Sequence, residues 1–362
     1  MISDELCRVP IEYLWVGLEL QEDIYNYNGE VLLVPKGKVI TEPRLASLFK
    51  FEGGNKYITT PRAMYDIIMD KNNIPEDMRK LMLQTQKGYE ALNHGVDEIM
   101  AEAKKYGKVS SEPVAKSVAK IPALLEGAGM QIIFSCIDLP RPMGEELQRH
   151  CLNVALLNGL MAECLDLPDQ EARDLITVGM LHDIGKTKIP GDKYSNRGVL
   201  SKREEEMARI HCLYTAEMLT EDFDTEVKMA AYYHHERIDG SGYPEGLKGD
   251  KIPLYARITA ISDTYDNLVY VRTGEKPKPL FDVMAELAAM EGKELDEELT
   301  MLFLNDIKSQ YLGKQVRMSD GVTGNVVYIP PNDLGRPVIK TDLEVRQTDE
   351  EWKCQEILLE DS

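Results

Sequence analysis

The chain has 362 residues, with 42 Lys and Arg against 62 Asp and Glu, a formal net charge of −20. A surface this acidic argues against a nucleic-acid polymer as partner, because phosphate contacts dominate such binding. It still allows a small phosphorylated ligand held at a local metal cluster. No apolar run is long enough to span a bilayer, so no membrane partner is expected. Residues 1–6 are acidic and lack a signal-peptide pattern. The six cysteines (Cys7, Cys136, Cys151, Cys164, Cys212 and Cys354) are scattered without a Cys-x-x-Cys pair. They read as reduced, buried small apolar residues of a cytoplasmic protein.

Residues 1–60 predict a small β-rich module. Asn28-Gly29 favours a tight hairpin turn, residues 31–34 follow as a strand, and residues 35–38 form the next turn. Thr41 starts a short helix with Leu45, Leu48 and Phe49 as its apolar face. Residues 61–109 predict a helical linker. Its helix, over 76–106, carries Met78, Met82, Thr85, Tyr89, Leu92, Val96, Ile99 and Ala103 at spacings of mostly three and four. Gly88 and Gly95 weaken it by about 1 kcal/mol each. Two readings fit this seam: an amphipathic helix packed on its own domain, or a stalk that forms a homodimer. His94 lies beside the seam and reads as a surface residue.

Residues 107–111 break the pattern, and Ser111-Glu112-Pro113 makes a new helix start. Residues 110–312 then predict an all-α domain, with helices over 114–125, 145–164, 169–182, 201–219, 226–236 and 254–271. From Gly313 the pattern turns to strands over 316–318, 322–329 and 337–340, with a turn at Ser319-Asp320-Gly321. Residues 313–362 therefore form a small C-terminal β-module, ending in an acidic tail.

Five of the six histidines fall within the all-α region: His150, His182, His211, His234 and His235. His182-Asp183 closes the apolar run 176–181. This sets a nitrogen ligand beside a carboxylate, a pair that suits a borderline metal. His234 and His235 on a helix point about 100° apart and can reach two neighbouring ions. After them, Gly240, Ser241, Gly242 and Pro244 end the helix in a tight loop.

His182-Asp183 with Gly185-Lys186, followed by His234-His235-Glu236 and Asp239-Gly240-Ser241-Gly242-Tyr243-Pro244, resembles the HD-GYP family. The likeness covers residues 140–310. It implies a mainly α protein, an HD-type all-α domain flanked by the two β-rich modules. It implies a metal-dependent phosphodiesterase acting on cyclic di-GMP. The ligands it implies are Glu146, His150, His182, Asp183, His211, His234, His235 and Asp263, with Asp183 bridging two metals and Glu146 accompanying a third. Such a nitrogen and oxygen set suits two to three divalent transition metals, Fe or Mn first.

By the same resemblance Lys186 contacts phosphate, and Gly242, Tyr243, Arg257 and Arg272 contact substrate. Gly240 and Gly242 allow close backbone approach to a ligand. Tyr243 either stacks on a guanine or packs its loop. Arg272 stays in register with the first arginine of a family run, whereas Gly274 and Glu275 replace an aromatic and a second basic residue. The expected reaction is hydrolysis of cyclic di-GMP to linear pGpG, and onward to GMP with a third metal. The alternatives are action on another cyclic nucleotide and a non-catalytic cyclic di-GMP sensor.

Overall fold

A computed structural model describes residues 6–10, 23–25, 32–34, 36, 38, 57–61, 76–128, 130–137, 144–189, 209–270 and 278–358. The expected turn at Asn28-Gly29 and the helix with Leu45, Leu48 and Phe49 lie outside them. Strand β1 (Leu6–Pro10) pairs antiparallel with β4 (Tyr57–Pro61), and β2 (Ile24–Tyr25) with β3 (Leu32–Val34). The body is helical, as expected. It comprises α1 (Glu76–Tyr106), α2 (Ser111–Val118), α3 (Ile121–Ala128), α4 (Met130–Ile137), α5 (Glu146–Cys164), α6 (Asp169–Leu181), α7 (His211–Met218), α8 (Thr225–Tyr233), α9 (Leu254–Val269), α10 (Leu280–Met290) and α11 (Glu297–Tyr311).

Helix α5 is the central element. Residues 148–162 are buried on every side, so it is a core helix and not an amphipathic one. It packs against α1, α3, α6, α9 and α11. Gly179 of α6 explains the closest of these contacts. A Cβ there would fall 2.7 Å from Ala155 Cα, so only glycine lets the two backbones meet. That approach brings the end of α6 level with His150.

The seam of α1 faces inward. Tyr89, Leu92, Val96, Ile99 and Ala103 are buried in the same core as α5. Gly88 and Gly95 mark where α1 touches its neighbours. A Cβ at Gly88 would lie 2.7 Å from Leu124 Cδ1, and one at Gly95 2.8 Å from Ser117 Oγ. The two glycines weaken the helix but let α2 and α3 pack close. Of the two readings of the seam, the structure shows the helix packed on its own domain: the chain's own helices cover it. His94 is exposed beside Glu98, as expected.

The C-terminal strands form one antiparallel sheet in the order β8-β7-β6-β5-β9, with β5 (Gln315–Met318), β6 (Thr323–Tyr328), β7 (Val338–Lys340), β8 (Val345–Gln347) and β9 (Cys354–Leu358). The three expected strands are β5, β6 and β7, and Gly321 turns the chain between the first two with φ +85°. Strand β9 lies in the stretch read as a tail. It gains its conformation by pairing with β5 along Gln315↔Leu358 and Val316↔Ile357. Among the described residues, no helix is long and apolar enough to cross a membrane.

Candidate metal centre

Five elements bring the expected ligands together. His150 sits on α5, His182 and Asp183 follow α6, and His211 opens α7. His234 and His235 follow α8, and Asp263 is on α9. Asp183 stands between two histidine pairs. Its Oδ2 lies 3.3 Å from His150 Nε2 and 3.5 Å from His182 Nε2. Its Oδ1 lies 3.1 Å from His211 Nε2 and 3.6 Å from His234 Nε2. Asp263 makes a second span, with Oδ1 3.2 Å from His150 Nε2 and Oδ2 3.8 Å from His235 Nδ1. Gly185 permits this convergence. A side chain there would collide with the His211 carbonyl and the Thr215 amide. Thr215 Oγ1 then accepts from Gly185 N and donates to the His182 carbonyl, each at 3.0 Å.

The outer hydrogen bonds fix which ring nitrogens point inward. His182 Nδ1 donates to the Gly179 carbonyl at 2.8 Å, and His234 Nδ1 to the Ala231 carbonyl at 2.7 Å. Each Nε2 is thereby left with a lone pair facing the centre. His150 Nδ1 meets the Asp266 carboxylate at 2.6 Å. His150 and His182 then bring their Nε2 atoms to 3.0 Å, and His211 and His234 theirs to 3.4 Å. Two nitrogens about 2.1 Å from one ion are about 3.0 Å apart at a right angle and about 3.4 Å apart in a tetrahedron. Asp183 Oδ1 is buried and accepts no well-directed hydrogen bond, with His211 Nε2 3.1 Å away. Desolvated lone pairs gathered in this way need positive charge among them. The donor set therefore fits divalent cations.

The ionisations agree. Burial would raise the Asp183 carboxyl, but the Lys186 charge and the hydrogen bond from His150 hold it well below the usual range. Burial pulls His182 down to about 3 and lowers His211 and His235. Burial also acts downward on His150, yet hydrogen bonds to Asp183, Asp263 and Asp266 hold it at about 10.

The loop after His235 is built on Glu236. Its buried carboxylate accepts from the backbone amides of Glu245 (2.7 Å), Gly246 (3.1 Å) and Leu247 (2.9 Å). Tyr243 N donates to the His235 carbonyl at 3.2 Å, and its ring lies 4.7 Å from the His235 ring. Arg209 covers the Tyr243 ring at 4.9 Å. Tyr243 thus packs the loop against a candidate ligand.

Residues 131–299 match the family described as HD domain. A cyclic di-GMP phosphodiesterase of Thermotoga maritima is 33% identical over 179 residues, 48% of this chain and 49% of that protein. A 3'3'-cGAMP-specific phosphodiesterase of Vibrio cholerae is 31% identical over 183 residues, 50% of this chain and 35% of that protein. Over these residues the chain is similar to HD domains. The chain spans half or less of those two relatives' lengths. The fold is shared with a solved HDG"Y"P protein from Bdellovibrio bacteriovorus. That likeness has a TM-score of 0.54 at 16% identity and covers 84% of this chain and all of that one.

Not every residue expected at the site is engaged there. Arg257 is engaged elsewhere: its Nη1 meets Asp296 Oδ2 at 2.6 Å and Asp250 Oδ1 at 3.7 Å. Asp296 also caps α11 by accepting from Leu299 N. Arg257 therefore joins α9 to α11. Gly242 makes a close approach within its own loop, since a Cβ there would strike the backbone of residues 235–237. Gly240, at φ +83°, lies under the Lys248 side chain. Arg272 lies outside the described residues. Glu146 is one turn before His150, and its Oε2 accepts from Gly144 N at 2.7 Å. Lys186 is ion-paired with Asp183, in a 3-10 turn (Ile184–Lys188) and not on a helix.

Two residues escaped the sequence reading. Asp266 holds His150, and Cys212 brings its sulfur within 3.5 Å of His211 Nε2. The spacing of Asp266, three after Asp263 on one helix face, was a usable signal. Cys212 gave none beyond its place next to His211.

Proposed function

We propose that the HD domain is a metal-dependent phosphodiesterase that hydrolyses cyclic di-GMP to linear pGpG and, with a third ion, onward to GMP. One observation carries this reading: the Asp183 carboxylate is divided between His150 with His182 and His211 with His234. One oxygen in each half-site is the arrangement of a bridging ligand. His235 and Asp263 complete the set, and Glu146 stands by for the third position. Bound ions would supply Lewis acidity, drawing charge from the phosphodiester and acidifying water. Fe and Mn suit the nitrogen and oxygen donors.

The chain's own groups do the rest. Burial lowers Lys186, but the Asp183 and Asp263 charges outweigh it, so the ammonium stays charged at the edge of the centre. It would serve a phosphate oxygen as a point charge. The His182 and His234 carbonyl bonds hold two ligand rings in one tautomer. The Glu236 loop and Tyr243 hold His235 in place.

Relatives named for cyclic di-GMP and for 3'3'-cGAMP both support a cyclic dinucleotide as substrate class. The test is protein purified without chelator, analysed for metals, and incubated with each dinucleotide in turn. Chromatography should show pGpG or GMP from cyclic di-GMP as the faster reaction. Faster cleavage of 3'3'-cGAMP would replace the substrate. No product from metal-loaded protein would leave a cyclic di-GMP sensor.

A further inference from the structure

Cys212 follows His211 at the start of α7 and is completely buried. Its Sγ lies 3.5 Å from His211 Nε2. The ligand atoms of Cys212, His211, His234 and His235 all lie within 4.8 Å of one another. We propose that Cys212 is a thiolate ligand of the ion held by His211 and His234. This rests on the metal reading above and extends it to a donor that the motifs do not contain.

Two observations carry it. The first is spacing. A sulfur about 2.3 Å and a nitrogen about 2.1 Å from one tetrahedral ion are about 3.6 Å apart. Cys212 Sγ and His211 Nε2 are 3.5 Å apart, and His211 and His234 Nε2 are 3.4 Å apart. Two of the three donor pairs thus stand at the distances of one coordination sphere, and the third pair lies within 4.8 Å. A side chain that merely filled the core would place its sulfur under no such constraint. The second is Asp183 Oδ1. It is fully buried, accepts no well-directed hydrogen bond, and faces the same His211 Nε2 at 3.1 Å. An acceptor-only atom desolvated in this way calls for a cation.

On binding, the sulfur–metal bond forms as the thiol proton leaves to solvent. The two halves of the centre then differ in kind. His150, His182 and Asp183 offer nitrogen and oxygen only. The His211 half adds a soft donor, which favours Fe(II), Co(II) or Zn over Mn at that position.

The full-length chain, stripped of metal and reloaded anaerobically with Co(II), tests this by absorption. Wild type should show an intense near-ultraviolet sulfur-to-cobalt charge-transfer band. Cys212→Ser and Cys212→Ala should lose the band while still binding cobalt, with affinity reduced by about tenfold or more. Cys151→Ser, altering a buried thiol next to His150, should keep it. Circular dichroism checks that the variants fold. Cobalt-edge X-ray absorption on wild type needs no variant and should find a sulfur at about 2.3 Å. Bound cobalt with no sulfur signal in wild type overturns the proposal, as does a band that survives both Cys212 substitutions. Both results leave the metal centre standing. Wild type that takes up no cobalt overturns the metal reading itself, and this proposal with it.

Discussion

Replacing Asp266 by Asn should weaken the metal centre through a single proton. Four buried side chains form a line. Tyr89 Oη donates to Asn153 Oδ1 at 2.7 Å, and Asn153 Nδ2 donates to Asp266 Oδ1 at 2.8 Å. Asp266 Oδ2 in turn meets His150 Nδ1 at 2.6 Å. A carboxylate accepts on both sides, whereas an amide cannot. In Asp266→Asn the Asn153 amide group selects the new side-chain oxygen. The new NH2 is left against His150 Nδ1, which must then accept. The ring proton moves to Nε2, the atom that faces Asp183 and His182. Turning Asn153 over would relieve this, but it breaks the Tyr89 bond and the 3.3 Å bond from Asn153 Nδ2 to the Ile137 carbonyl. Loss of such an outer partner costs 10- to 100-fold in metal affinity, about 1.4 to 2.7 kcal/mol. Reversal of the tautomer places Asp266→Asn near the upper limit, at about 100-fold. A competition titration against a chromophoric chelator measures it, with circular dichroism to confirm folding. Tyr89→Phe frees Asn153 to turn, so the double variant should regain part of the loss. Affinity within about twofold of wild type in folded Asp266→Asn would refute the tautomer argument.

Three further outcomes follow from particular contacts. Lys186→Ala should retain its metals, by elemental analysis, yet lose turnover by about 10²-fold, since the ammonium would act on transition-state charge; turnover at the wild-type rate would remove that role. Glu236→Gln keeps one acceptor oxygen for three backbone amides and should lose one or two charge-assisted bonds worth about 1.5–3 kcal/mol each. Hydrogen exchange at residues 245–247 should quicken, and unchanged exchange would mean that the loop is held by something else. Leu92→Ala in the α1 seam should cost about 2–5 kcal/mol by urea denaturation with no change of mass by light scattering. Stability that rises with protein concentration, lost in this variant, would reinstate the seam as an interface between copies.

The sequence located the centre because its signal is local and chemical. His182-Asp183 closes an apolar run, and His234-His235 leads into a loop of Gly, Ser and Pro. Each is a short pattern whose residue types have few other uses in combination. The other expected ligands, Glu146, His150, His211 and Asp263, came from the family resemblance. All but Glu146 meet Asp183 or one another within 4 Å. The helical class was equally legible from periodicity. The strands β8 and β9 were not. One is exposed along its whole length, and the other depends on its pairing with β5.

Tertiary structure decided the rest, because it concerns which surfaces meet. Periodicity gives a helix an apolar face but does not say what covers it, so the α1 seam fitted both a dimer and a core. Gly88 and Gly95 were read as weaknesses, and in the fold they are contact points. Glycine at 242 predicted close approach, but only the fold showed that the approaching backbone is the chain's own. Arg257 carries a charge that phosphate and Asp296 can both use, and the packing of α9 on α11 gave it to Asp296. Cys212 looked like any buried thiol. The fold adds the packing of α7 over Gly185, which carries His211 and its neighbour to Asp183. The sequence determined the helical class and, through its local motifs, where the centre lies. The contacts among α5, α6, α7 and α9 determined which atoms within it face one another, because that depends on backbone approach between segments far apart in the chain.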